Sequence, residues 1–430
     1  MATDSDKNRN INKITMVHVS DIHFGSGESH GRLNPDTGLN IRFEDFVLAL
    51  RKAVDYTIEN QIDVFLFSGD AYRNASPEPI YQKMFARELN RLSKHEVKTI
   101  LVVGNHDQLL RSTQSHAMSV FQSLEVPDML IVDKPMMLEI ETKHGPFQLI
   151  GLPHITRHNL ASLEKYKDAS AQEIDRVLAQ HVESLLAGFF SKLDKSKPCV
   201  VTAHMSTDKA LAGIEEELLV GYTMTFPTEM FIYDGVDYVA LGHIHKYQIL
   251  REKDPAIVYA GSLERVDFGE EKEDKGFVKV DLIRGATTFS YQSISPRPFI
   301  TVELDLTKNR ENLESDRLTE KLIQAVRREI LPGCVLRLKC KIGAEDLKQI
   351  NEDRLKESAS EALSFKLQLE VVPEHARSRI PQLTEASVLS PIKALDTYLS
   401  EVAPDRKERL LERTRLMMNK LAAETGSETL

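Results

Sequence analysis

Five short polar clusters, each set directly after an apolar run, constrain this chain more than any other feature. They are Asp21-Ile22-His23, Gly69-Asp70, Gly104-Asn105-His106-Asp107, His204 and Gly242-His243-Ile244-His245. The runs before them, at 14–19, 64–67, 99–103, 199–203 and 237–241, are rich in β-branched and aromatic residues, as is a sixth at 148–152. Continuous apolar runs of that length describe strands buried on both faces. Helical spacing separates several of them: Phe43, Phe46, Val47, Leu50 and Val54 share one helix face, and Ile174, Leu178, His181, Leu185 and Phe189 another. The pattern predicts an α/β domain of two packed sheets flanked by helices. Two later runs, 256–260 and 276–282, are expected to be antiparallel and to complete the second sheet. Ligands in open α/β sheets bind beyond the carboxyl ends of the strands, so the five clusters should converge at one edge.

The residue types in those clusters form a coherent donor set of carboxylates, imidazoles and one amide, with no thiolate. Such a set suits manganese, iron or zinc. A single DxH or HxH is commonly only polar decoration at a strand end, and glycine before Asp70, Asn105 or His243 can be a simple turn residue. All five in order, each at a strand terminus, point to metal. The other histidines do not. His18, inside a strand, reads as a hydrogen-bonded core residue. His30, His95, His116, His144, His154, His158, His181 and His375 lack partners at ligand spacing and read as surface or packing residues.

At 430 residues the chain exceeds one ordinary core. Its N-terminus, MATDSDKNRN, is polar, no apolar run is long enough to cross a bilayer, and the three cysteines (Cys199, Cys334, Cys340) form no CxxC pair. A reducing, cytoplasmic setting is the expectation. The net charge of -10 argues mildly against tight stand-alone binding of nucleic acid, although metal ions in a cleft supply their own positive charge. The expected organisation is a tail (1–13), a catalytic domain (14–295), an α+β capping domain (296–375), a linker (376–385), a helical motif (386–422) and a short tail (423–430). The segment SPRPF marks the first boundary, since two prolines interrupt regular structure. The helical motif is amphipathic, with Val388, Ile392, Leu395, Leu399 and Val402 on one face and Leu410, Thr414, Met417 and Leu421 on the next. Its second helix is also basic, carrying Arg406, Lys407, Arg409, Arg413, Arg415 and Lys420.

The ordered set D-x-H, G-D, G-N-H-D, H and G-H-x-H resembles the calcineurin-like metallophosphoesterases. That resemblance implies two metals, one held by Asp21, His23, Asp70 and His245, the other by Asp70, Asn105, His204 and His243. It implies that His106 contacts the phosphate and serves the leaving oxygen, with Asp107 either orienting that imidazole or capping a following helix. The stretches VHVSDIHFGS, DVFLFSGDAY and YAGSLERVDFGEEKEDKGFVKVDL are similar to the SbcD-type nucleases of double-strand-break repair. This narrower resemblance implies a manganese-dependent DNA exonuclease (3′–5′) and endonuclease, with iron, magnesium or zinc as alternatives. It also implies a capping domain that touches DNA, an SbcC-type coiled-coil ATPase docked on the C-terminal helices, and a homodimer formed through 79–92 and 116–124. Some relatives carry a histidine where this chain has Arg73, which could instead grip a phosphate oxygen. Two rivals remain: the same fold acting on a small nucleotide or other phosphoester, and a scaffold that has lost catalysis.

Overall fold

A computed structural model describes residues 13–108, 115–157, 169–211, 224–307, 315–344, 346–372, 391–402 and 404–425. Residues 1–12 of the expected N-terminal tail, His158, His375, the 376–385 linker and Val388 lie outside them, as do the side chains of Val402, Lys420 and Leu421. The chain divides into two compact units. One runs through Ile300 and includes Leu331–Leu336 and Glu361–Ser364; the other holds Thr301–Ile330, Arg337–Ser360 and Phe365 onward.

The larger unit opens with β1 (Ile14–Val19), β2 (Val64–Phe67), β3 (Lys98–Val102) and β4 (Met129–Val132), all parallel. The chain then builds a second sheet from β5 (Met136–Thr142), β6 (Gly145–Leu152) and β7 (Cys199–His204). After a small ribbon of β8 (Ser206–Thr207) and β9 (Thr225–Phe226), that sheet is extended by β10 (Tyr238–Gly242), β11 (Gln248–Arg251) and β12 (Ala256–Tyr259). Finally β13 (Gly276–Leu282) and β14 (Thr288–Ser293) return to the first sheet. The strand orders are β14-β13-β1-β2-β3-β4 and β11-β12-β10-β7-β6-β5. The two late runs therefore do not share a sheet. β13 lies antiparallel beside β1, whereas β12 is parallel to β10 and antiparallel only to its edge neighbour β11. Apolar content shows that a run is a strand, but partner and direction depend on contacts far away in sequence.

Alternation along the strands splits the apolar residues into layers. Ile14, Met16, Val64, Leu66, Ile100 and Val102 face Phe147, Leu149, Val200, Tyr238, Ala240 and Val258 between the sheets. Val17, Val19, Phe65 and Phe67 face outward against Phe43, Phe46 and Leu50 of α1 (Ile41–Glu59) and Phe85 and Leu89 of α2 (Pro79–Lys94). The expected face of α1 is buried throughout. A short α3 (Ser119–Ser123) follows, exposing Val120 and, just beyond it, Leu124. On the second sheet, α4 (Ala171–Phe190) starts at a reciprocal cap between Ser170 and Glu173. Its buried face is Ile174, Leu178, Val182, Leu186 and Phe190, so His181 is exposed and Leu185 and Phe189 only half-buried. The contact follows the i+4 row, which rotates about 40° per step, and so departs from the straight stripe read from sequence.

The smaller unit carries most of a sheet ordered β15-β16-β17, from β15 (Phe299–Asp305), β16 (Val335–Gly343) and β17 (Ser364–Val372). Two helices accompany it, α5 (Ser315–Glu329), with Leu318, Leu322 and Val326 buried, and α6 (Glu352–Ser358). The last helices, α7 (Pro391–Val402) and α8 (Lys407–Thr425), are tied by Lys407 to Asp396 (2.9 Å) and to Ser400 (2.9 Å). In α8 it is Leu411 that is buried and Met418 half-buried, while Leu410 and Met417 of the expected seam are exposed. All three cysteines are buried and unpaired.

Candidate metal centre

The loops after β1 and β2 are zipped together by backbone bonds: the amides of Asp21 and Ile22 donate to the carbonyls of Gly69 and Asp70 (both 3.0 Å). The sheets are joined at the same edge, where His204 Nδ1 donates to the Ser68 carbonyl at 2.7 Å and Ser68 meets Thr202 at 3.1 Å. Asp21, His23, Asp70 and His243 all have positive φ (51°, 52°, 60° and 100°), a region non-glycine residues seldom occupy. Such conformations cost about 1–3 kcal/mol each and cluster where side chains must be aimed at a ligand. Gly104 is a close-approach glycine: a methyl there would come within 2.5 Å of the Asp70 amide nitrogen and overlap its carboxylate.

The side chains meet as three linked triads, Asp21–His23–His245, His23–Asp70–His106 and Asp70–His204–His243, whose ligand atoms lie within 4.8 Å of one another in each. Asp70 Oδ2 is 3.5 Å from His23 Nε2 and 3.2 Å from His204 Nε2, midway between the outer groups. Asn105 Oδ1 lies 2.9 Å from His204 Nε2 and 3.0 Å from His243 Nδ1. His23 and His245 point their Nε2 atoms at each other across 3.0 Å. Thus all seven candidate ligands are brought to one edge.

Charge in this cluster is balanced by protons held against burial. Burial pulls His204 down, but the Asp70 carboxylate outweighs it and raises the ring to about 9; Glu270 likewise raises His245 to about 10. Burial, then the charge of His204, pushes His243 down to about 3. Buried carboxylates that keep neighbouring imidazoles protonated in this way, among nitrogen and oxygen donors with no thiolate, fit divalent cations such as manganese, iron or zinc.

His106 is exposed and held from behind, its Nδ1–H donating to the Arg73 carbonyl at 2.8 Å, so that Nε2 belongs to the central triad. Arg73 is exposed beside it. Asp107 does not hold the His106 imidazole, and the segment it was expected to cap, 109–114, lies outside the described residues. The buried Asp107 carboxylate accepts from the amides of Asp70 (3.0 Å), Ala71 (3.1 Å) and Gly104 (3.0 Å), bracing the loops after β2 and β3 rather than the imidazole. Burial, then Asp70, pushes its carboxyl up to about 7.

His18 is the expected core residue, with Nδ1 3.0 Å from the Tyr238 hydroxyl. His154 is not peripheral. Its ring centroid lies 5.9 Å from that of His243 and 6.1 Å from that of His204, and its amide donates to the Val103 carbonyl. Burial, then His204, lowers it to about 4. Its position two residues beyond β6 is the same strand-end signal that marks the other clusters.

The profile described as calcineurin-like phosphoesterase matches residues 14–247, more than half of the chain and all seven of these side chains. The chain belongs to the calcineurin-like phosphoesterase family. Members use a two-metal centre to hydrolyse phosphoesters, and the chain is a metal-dependent phosphoester hydrolase of this type. Among curated relatives it is similar to the uncharacterized metallophosphoesterase YhaO of Bacillus subtilis, 22% identical over 76% of this chain and 71% of the relative. It is 23% identical to the DNA double-strand break repair protein Mre11 of Archaeoglobus fulgidus, over 96% of this chain and 87% of that one. The SbcD component of the Escherichia coli nuclease SbcCD is 22% identical over 60% of this chain and 62% of its own. Among the described residues no helix is long and apolar enough to cross a membrane.

Proposed function

We propose that this chain is a two-metal DNA nuclease, exonuclease (3′–5′) and endonuclease, the nuclease subunit of an SbcC–SbcD-type end-processing complex in the bacterial cytoplasm. The observation that carries the DNA reading is the likeness to an archaeal repair protein over 96% of the chain, well past the residues that make the metal centre. In this reading Asp21, His23, Asp70 and His245 hold one cation and Asp70, Asn105, His204 and His243 the other, manganese being the favoured ion. Asp70 would be shared by the two, since its Oδ2 faces the imidazoles of both sets while Oδ1 accepts from the His106 amide at 2.9 Å. Two such cations supply Lewis-acid polarisation of the phosphodiester and activation of the attacking water. His106, anchored through Nδ1, offers Nε2 on the open side of the cluster, where a protonated ring donates to the leaving 3′ oxygen and a neutral one accepts. Asp107 keeps the loops bearing Asp70 and Asn105 in register, and Arg73 grips a phosphate oxygen at the rim.

The α+β segment 296–375 is proposed as the DNA-contacting cap. Exposed Tyr398, Leu410, Leu416 and Met417 offer an apolar surface for the coiled-coil ATPase, and exposed Val120 and Leu124 a homodimer contact. Sedimentation as a monomer at working concentration would remove the dimer. The functional test is a manganese-dependent cleavage assay on end-labelled duplex DNA beside bis-p-nitrophenyl phosphate. DNA degradation that stops on chelation is expected. Turnover of the small diester with DNA untouched, even with an SbcC-type partner and ATP, would replace this reading with a small-substrate phosphodiesterase.

A further inference from the structure

One buried acid–base pair behind the metal centre belongs to none of the five clusters. Glu270 and Lys275 are 6% and 0% exposed, and both reach His245. Glu270 Oε1 lies 2.6 Å from His245 Nδ1, while its other oxygen accepts from the Val266 amide at 2.9 Å and lies 3.0 Å from Lys275 Nζ. Lys275 Nζ also donates to the His245 carbonyl (3.1 Å) and to Glu273 (2.8 Å), so its three hydrogens each have an acceptor. One partner thus fixes the ring of His245 and the other its backbone.

We propose that Glu270, backed by Lys275, is the positioning residue that sets the tautomer and aim of His245 toward a bound cation. The inference rests on the reading above in which His245 is a ligand. An ionised carboxylate only accepts, so His245 Nδ1 carries the hydrogen and Nε2, facing His23, is the atom available to a metal. The two Glu270 oxygens are not equivalent, and this makes the role testable. Oε2 faces two donors and must remain an acceptor. In Glu270→Gln the amide oxygen therefore takes that side and the NH2 turns toward His245 Nδ1. The imidazole must then accept there, and its hydrogen moves to Nε2, where it blocks ligation.

The experiment is calorimetric titration of the full chain with Mn2+, paired with electron paramagnetic resonance of the bound ion. Variants are Glu270→Gln and, as a control, Glu273→Gln, which removes a negative charge beside Lys275 but never touches His245. Two sites are expected in the wild type. Glu270→Gln should weaken one of them by about 10–100-fold and leave the other in place, the usual scale for a lost partner behind a metal ligand. Glu273→Gln should leave both unchanged. If Glu270→Gln is recovered unfolded, Glu270→Asp keeps an acceptor with shorter reach and should weaken the same site to a smaller degree. Wild-type affinity at both sites in Glu270→Gln overturns the inference, as does equal weakening of both sites by both variants, which marks the pair as a loop staple alone. A wild type that binds no pair of ions overturns the two-metal reading itself, and this inference with it.

Discussion

Replacing Arg42 by methionine should destabilise the larger unit mainly by stranding Glu264. Arg42 is fully buried on α1, with Nη1 2.7 Å from Asp45, Nη2 3.4 Å from Glu264 and 2.5 Å from the Arg265 carbonyl, and its guanidinium over Phe46 and Phe299. Asp45 keeps a second cation, Arg297, bound through both oxygens at 2.5 and 2.6 Å. Glu264, 3% exposed, keeps only the amides of Arg265 (2.9 Å) and Arg297 (3.3 Å). Burial already raises its carboxyl above 4.5, with Arg42 the first influence opposing it. Without Arg42 the folded pKa rises further. Above the unfolded value the unfolded chain is then ionised while folding demands either a proton or an unpaired buried charge. At pH 7 the penalty reaches at most about 3.5 kcal/mol, from 7 minus 4.5 at about 1.4 kcal/mol per unit. That agrees with the ~3–5 kcal/mol typical of breaking a buried pair, and corresponds to a fall in Tm of about 7–14 °C. The penalty should fade as pH approaches 4.5, and Arg42→Met/Glu264→Gln should recover most of it. Urea unfolding of the single and double variants at pH 7 and pH 5 checks this. A single variant within 1 kcal/mol of wild type at pH 7, or a double variant no better than the single, would refute the reasoning.

Three further outcomes are expected. His106→Ser should retain both cations in calorimetry yet lose about 100-fold or more of DNA cleavage, and an unimpaired rate would remove this imidazole from the reaction. His18 is lowered from 6.5 to about 3 by burial, so the folded chain resists a proton that the unfolded chain takes up, and stability drops as pH falls below 6.5. Between pH 8 and pH 5 this amounts to roughly 2 kcal/mol, and His18→Leu should flatten the acid limb of urea unfolding by that amount; equal limbs would contradict it. Truncation after residue 381 should abolish co-purification with an SbcC-type ATPase while leaving metal-dependent hydrolysis of bis-p-nitrophenyl phosphate, and undiminished association would place the docking surface elsewhere.

The ligand candidates were legible because each directly follows a strand that announces itself by composition. Asp21, Asp70, Asn105, His204 and His243 need only their neighbours to be noticed. Residues acting from a distance leave no such trace. Nothing in the spacing ties Glu270 to His245, or Asp107 to the Asp70 amide, because loop closure in three dimensions brings them together. His154 carried the right signal but belongs to no DxH or HxH pair. Helix faces were legible where the row runs straight, as on α1, and slipped by a residue where it rotates, as on α4 and α8. Sheet membership of β13 was hidden for the same reason as the direction of β12: a buried run pairs equally well with either neighbour until the whole sheet is assembled.

The most direct test of the two-metal account is Mn2+ titration of wild type and Asp70→Ala by calorimetry, with duplex DNA cleavage followed on the same samples. Asp70 Oδ2 stands between both imidazole groups, so its loss should disturb both sites. The account predicts two ions per wild-type chain, no more than one weakly held ion in the variant, and cleavage only in the wild type. An Asp70→Ala chain that binds two ions and cuts DNA at the wild-type rate would contradict it.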